Sequence, residues 1–221
     1  MIEYVDDALA KAVSNAKPGL ISSIAITFDP PTKDTVQVRA QRQCVDIYLY
    51  DIQDAAQRRS SGSIQVRAAA SVENPVSGRM EYKPVGRHAP PRHLTLSYMV
   101  TAWLAQPRDS HQILGLIFSH LAKSPTLTIP NYPWPGDDGT LNSQEVYAEM
   151  DVGRPPVQDR ILTELWTTFN NTLVPFLNVT VTLPVPAFTT EQIDHLVEHP
   201  VVSPVSVLSD HGRSLERGGT P

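Results

Sequence analysis

The sequence predicts an α+β fold, an α/β sandwich in which helices pack on a mixed, largely antiparallel central sheet. Three observations carry that reading. Apolar residues alternate along Arg92–Gln106 and again along Leu177–Leu183, the period of half-buried strands. Apolar stripes recur at helical spacing over residues 2–17, 110–123 and 157–170. The elements then run helix, several strands, helix, strand, helix, strand, and no 20- to 50-residue repeat interrupts them.

Val5, Leu9, Ala12, Val13 and Ala16 give Ile2–Lys17 one apolar face, and Pro18-Gly19 ends that helix. Ile24, Ile26 and Phe28 alternate as a strand that Pro30-Pro31 stops, and Val36 and Val38 mark a short edge strand. Cys44–Ile52 is a strong strand with Val45, Ile47 and Leu49 on one face and Asp46, Tyr48 and Tyr50 on the other. Asp54–Ala89 is poorly patterned and reads as a mobile hairpin rich in basic residues: Arg58, Arg59, Arg67, Arg79, Lys83 and Arg87. These are either a contact patch for an acidic partner or a solvated loop.

The longest strand comes next. Leu94, Leu96, Tyr98, Val100, Ala102 and Leu104 are apolar, the residues between them are mixed, and Pro90-Pro91 and Pro107 bound the stretch. It reads as the central strand. A helix follows over Ser110–Lys123, with Asp109 and Gln112 at capping-box spacing and Ile113, Leu114, Ile117, Phe118 and Leu121 as its stripe. Pro130–Gly139 reads as a loop with Trp134 at its tip, either an anchor for a partner or a cover for the core. Val146, Ala148 and Met150 mark a short strand, and Ile161, Leu162, Leu165, Trp166 and Phe169 mark a helix over Val157–Asn170. Residues 1–186 therefore read as one domain and 187–221 as a C-terminal arm. In the arm, Thr189 and Gln192 suggest a capped helix to His199. Val201, Val202, Val205, Val207 and Leu208 follow, then a polar, Gly-rich end over Ser209–Pro221 expected to be disordered.

Composition narrows the function classes. A net charge of −5 disfavours binding to nucleic acid by phosphate neutralisation. The single cysteine, Cys44, rules out an internal disulfide framework. Asp6 and Asp7 stand where a leader would carry basic residues, and no apolar run is long enough to span a bilayer, so a cytosolic site of assembly is expected.

One motif points to chemistry. His195-Leu196-Val197-Glu198-His199 matches the H-x-x-E-H pattern of inverted zinc peptidases, with two histidines a turn apart and a glutamate to activate water. A catalytic zinc also needs a third ligand and a shaped pocket, and only Asp210, His211 and Glu216 follow. The plainer reading is a solvated helix face. No phosphate-binding glycine loop and no G-x-S-x-G elbow occurs, and Cys44 lacks a basic neighbour that would activate it. The residues themselves nominate no catalytic, cofactor-binding or metal site.

Several stretches resemble a family from contractile injection systems, the phage-tail-like particles of bacteria. They are Ile21–Pro31, Val45–Asp51, Pro90–Pro125 with its Leu94–Trp103 core, Glu164-Leu165-Trp166, and Asn178–Pro184. The family is that of cap or tail-terminator proteins. The resemblance implies a non-enzymatic protein without cofactors. It would form a ring, a hexamer, on the distal end of the inner tube and sheath and end their polymerisation. Its partners would be copies of itself and the sheath and tube subunits. For the contacts, the sequence nominates Val201, Val202, Val205, Val207 and Leu208, Trp134, and Arg58 and Arg59. The apolar run of the arm has the composition to add as a strand to a neighbour's sheet. Two alternatives are a small zinc-dependent hydrolase and a monomeric protein-binding module.

Overall fold

The computed structural model describes residues 1–32, 43–73, 80–135, 141–154, 164, 166–170, 173–187 and 191–192, with the backbone alone for 68–73, 80–85 and 192. Helix α1 (Ile2–Ser14) is followed by a 3-10 turn (Ile21–Ser23) and the three-residue strand β1 (Ala25–Thr27). Strand β2 (Cys44–Asp54), a second 3-10 turn (Ala56–Arg58), β3 (Ile64–Glu73), β4 (Met80–His88) and β5 (Arg92–Trp103) follow. Then come α2 (Pro107–Leu121), β6 (Thr126–Pro135), β7 (Leu141–Val152), β8 (Phe176–Val185) and β9 (Glu191–Gln192).

Six strands form one sheet in the order β1-β2-β5-β8-β7-β6, and β3-β4-β9 form a second. Among the described strands β1 and β2 run parallel and the other pairs are antiparallel. The expected mixed, largely antiparallel sheet with helices packed on it is therefore the architecture found, and the long β5 lies inside it. The predicted edge strand at Val36 and Val38 lies outside the described residues.

Residues 96–102 of β5 are buried on both faces. Its even positions meet α1 and α2 in the main core, where Val5, Leu9, Ile117, Leu96, Tyr98 and Val100 are fully enclosed. Its odd position Met99 is enclosed by a second, smaller cluster with Trp166 and Phe169, against which Tyr48, Tyr50, Val174 and Phe176 pack. The half-buried strand of the sequence is thus covered twice over part of its length.

Four details differ from the sequence reading. Helix α2 starts at Pro107 with Gln106 as an N-cap that makes no side-chain bond, so the Asp109–Gln112 capping box does not form. Proline's fixed φ and missing N–H suit the first helical position, and the helix opens there. Phe118 leaves the buried stripe and is exposed; its ring lies against Gly153, whose φ is +77°. Residues 130–135 are strand, not loop: β6 pairs with β7 through Tyr132↔Gln144 and Trp134↔Asn142. Three prolines fit there because β6 is the sheet's edge, where an absent N–H costs no ladder bond. Finally, Glu191–Gln192 is strand and pairs with Gly86 and Arg87 of β4, while the rest of the predicted helix to His199 lies outside the described residues. The ladder satisfies that backbone as a strand, and the Arg87 and Glu191 side chains pair across it at 2.9 Å.

One polar contact ties α1 to the sheet. Buried Tyr98 donates its hydroxyl to Asp6 at 2.8 Å. Burial pushes the Asp6 carboxyl above its ordinary value, with Asp7 and Glu3 adding to the rise and the Tyr98 hydrogen bond opposing it. A carboxyl raised on folding gives its full stability below the unfolded value near 3.8 and loses it as pH rises through the folded value. Asp6→Asn keeps an acceptor for Tyr98 and removes that loss. Its stability relative to the parent is expected to rise from pH 3.5 to pH 7 and then level, read by urea unfolding across that range. A flat difference would show that Asp6 titrates alike in both states.

Candidate interaction surfaces

The face of the main sheet opposite α1 and α2 divides in two. Around Met99, toward the C-terminal end of β5, it is closed by Trp166 and Phe169. Toward the N-terminal end of β5 it carries polar rows set by strand register. Gln53, Thr95, Thr182, Glu149 and Thr126 are successive partners across five strands. Asp51, Ser97, Thr180 and Asp151 form the next row. The Thr95 and Thr182 hydroxyls bond to each other at 3.1 Å. In the sequence these residues read as the alternate positions of separate strands; the pairing of five strands makes them one surface.

Arg58 and Arg59 stand at the side of this face, on and beside the 3-10 turn after β2. Ala55 fixes the turn by donating its N–H to the His93 carbonyl at 2.9 Å. Arg58 forms an ion pair with Glu149 of β7. Arg59 pairs with Asp54, which Arg92 also approaches at 3.4 Å. The two arginines are paired within the chain, and hydrogen bonding to Arg59 holds the Asp54 carboxyl below its ordinary value, with the charges of Arg59 and Arg92 adding to it. His93, on the same face, is held below the ordinary imidazole value by burial first and by Arg58 second.

Trp134 is half-buried and packs on the main core, its ring centroid 6.5 Å from that of Tyr132. Exposed apolar side chains nearby are Leu141 and Tyr147 of β7, which the sequence reading did not nominate. A groove of about 590 Å³ runs between α1 and edge strand β6, with Tyr4, Asp7, Lys11, Thr128 and Glu145 among its walls. Val201, Val202, Val205, Val207 and Leu208 lie outside the described residues, as do His195, Glu198 and His199. Among the described residues no group of three or more His, Cys, Asp or Glu side chains is placed to hold a metal ion. No described helix is long and apolar enough to cross a membrane.

No curated protein matches the chain. Two solved structures share its fold. One is the sheath/tube terminator, in the extended state, of the extracellular contractile injection system PVC. It is 24% identical with a TM-score of 0.55, over 98% of this chain and 65% of that one. The other is the tube-terminating cap of the anti-feeding prophage, 20% identical with a TM-score of 0.50, over 94% of this chain and 60% of that one. The chain thus spans less than two thirds of either relative's length. The family model of the Pvc16 N-terminal domain matches residues 4–199, nearly the whole sequence. The chain belongs to the Pvc16 N-terminal domain family.

Proposed function

We propose that this protein is the terminator of a contractile injection system, a ring subunit that sits on the distal end of the inner tube and sheath and stops their growth. The observation that carries the reading is the fold shared with a sheath/tube terminator over 98% of this chain. The family match over residues 4–199 supports it.

The function asks for shape, not bond chemistry. A ring needs head-to-tail contacts that close at a fixed rotation, so each copy must offer two different complementary surfaces. The doubly covered β5 supplies a stiff frame for them, and the six-strand sheet fixes their spacing. The terminator works without catalysis, as a hexamer, in particles assembled in the cytoplasm. Residues 1–186 serve as the rigid body and 187–221 as the arm that holds neighbours through Val201, Val202, Val205, Val207 and Leu208.

The test is deletion of the gene in its native strain, with particles imaged by negative stain. Tubes of uncontrolled length, or none, are the expected result. Particles of normal length and number would overturn the reading. Metal analysis of the purified full chain separates the zinc alternative: stoichiometric zinc lost in His195→Ala would favour a hydrolase.

A further inference from the structure

We propose that the outer edge of β3 accepts a strand from a second copy of this chain, and that the strand is the Val201–Leu208 segment. The inference rests on the ring reading above and names the contact that would close it.

An edge strand exposes backbone donors and acceptors, and proteins blunt such edges with prolines, bulges or short length. In the six-strand sheet, β6 carries Pro130, Pro133 and Pro135 and a register shift between Ile129 and Tyr132. At the other side, β1 is three residues long, and β2 shifts register at Tyr50. Both edges are blunted.

The second sheet differs. Strand β3 is ten residues long, contains no proline, and carries one charge, Arg67, before Glu73. Among the described residues it pairs on one side only, with β4. Strand β9 adds just two residues on the opposite side of β4. Among the described residues the sheet is close to a two-stranded hairpin, and such hairpins are marginal in water until a third strand or a packed face completes them. A further strand along β3 would supply that completion.

The occupant follows from where the chain goes. Glu191–Gln192, the last described residues, lie at the edge of this sheet opposite β3. To reach its own β3 the arm would have to double back across the sheet. Crossing to a neighbour only continues outward. Eight residues lie between Gln192 and Val201, a reach of roughly 30 Å when extended. Val201–Leu208 is uncharged and rich in valine, the composition of strands, and Pro204 leaves Val205–Leu208 as an uninterrupted stretch. A donor at one edge and an acceptor at the other, on one small sheet, is a head-to-tail pair of surfaces, the kind that closes into a ring.

The experiment uses two full-length single-cysteine variants, Gln65→Cys in exposed β3 and Ser206→Cys in the arm, since native Cys44 is buried. They are mixed, oxidised and read by non-reducing electrophoresis, beside the double variant and a mass measurement of the unmodified chain. A cross-linked dimer in the mixture is expected. In parallel, Ala68→Pro and Ala69→Pro are compared. Adjacent residues of an antiparallel strand point their N–H groups to opposite sides. The proline that leaves thermal stability intact removes an outward donor, and about tenfold weaker self-association is expected from it. An oligomer that forms without the cross-link, or a cross-link confined to single chains of the double variant, would overturn this contact and leave the ring standing. A full-length chain that stays monomeric at every concentration would end the ring reading and this contact with it.

Discussion

Leu96→Ala is expected to lower the free energy of unfolding by about 2–5 kcal/mol. Leu96 has no exposed surface. Its partners along the register are Ile52 on β2 and Val181 on β8, and Met150 on β7 lies beyond Val181. Truncation removes three carbons from a site where strands on both sides fix the backbone by hydrogen bonds. The surroundings can collapse only by moving two ladders, so most of the cavity remains, and the cavity adds to the lost transfer energy. Ile52→Ala in the same row is the control. That side chain is 50% exposed, and its truncation is expected to cost less than about 1 kcal/mol. Urea unfolding at pH 7 with an unchanged slope measures both. Equal losses at the two positions would mean that β5 is not the enclosed frame described above.

The same strand shows what the sequence disclosed. Its even positions alternate so regularly that the strand, its centrality and its core face were all legible. The second face was not. Met99 needs Trp166 and Phe169, and Thr95 needs Thr182, and no local pattern reports partners 67 to 87 residues away. The prolines of β6 misled for a physical reason. A proline argues against a strand only where its N–H would have been used, and at a sheet edge it is not. Strand β7 was half visible because Val146, Ala148 and Met150 are buried, whereas its first five residues are exposed and polar or isolated. The arginines were legible as charge, but the carboxylate that meets Arg58 sits 91 positions downstream. The family resemblance was carried by strand and helix signatures. It therefore pointed to the fold, and through the fold to a role, while the surfaces that would perform that role stayed hidden.

Asp46→Ala is expected to cost about 2–3 kcal/mol and to release β1 before the rest of the sheet. Alternation placed Asp46 beside Tyr48 and Tyr50 on a half-wet face, yet it has no exposed surface. It accepts a hydrogen bond from the Thr27 hydroxyl. Thr27 and Asp46 are also register partners in the β1–β2 pair, which has only three such positions. A parallel ladder that short cannot hold a strand by backbone bonds alone, since each contributes about 1 kcal/mol net and ordering the residues costs as much or more. The buried Asp46 carboxyl makes up the difference, since leaving a buried partner of this bond unsatisfied costs about 1–3 kcal/mol. Asp46→Asn keeps the shape and one acceptor and should recover part of the loss. Thr27→Ala removes the donor and leaves the carboxylate buried with one partner fewer, so its cost should approach that of Asp46→Ala. Amide exchange at Ala25–Thr27, followed with global stability, separates the local effect from the global one. If β1 amides in Asp46→Ala exchange only by global unfolding, the clasp is not what holds this edge, and β1 owes its place to the packing of Ile26.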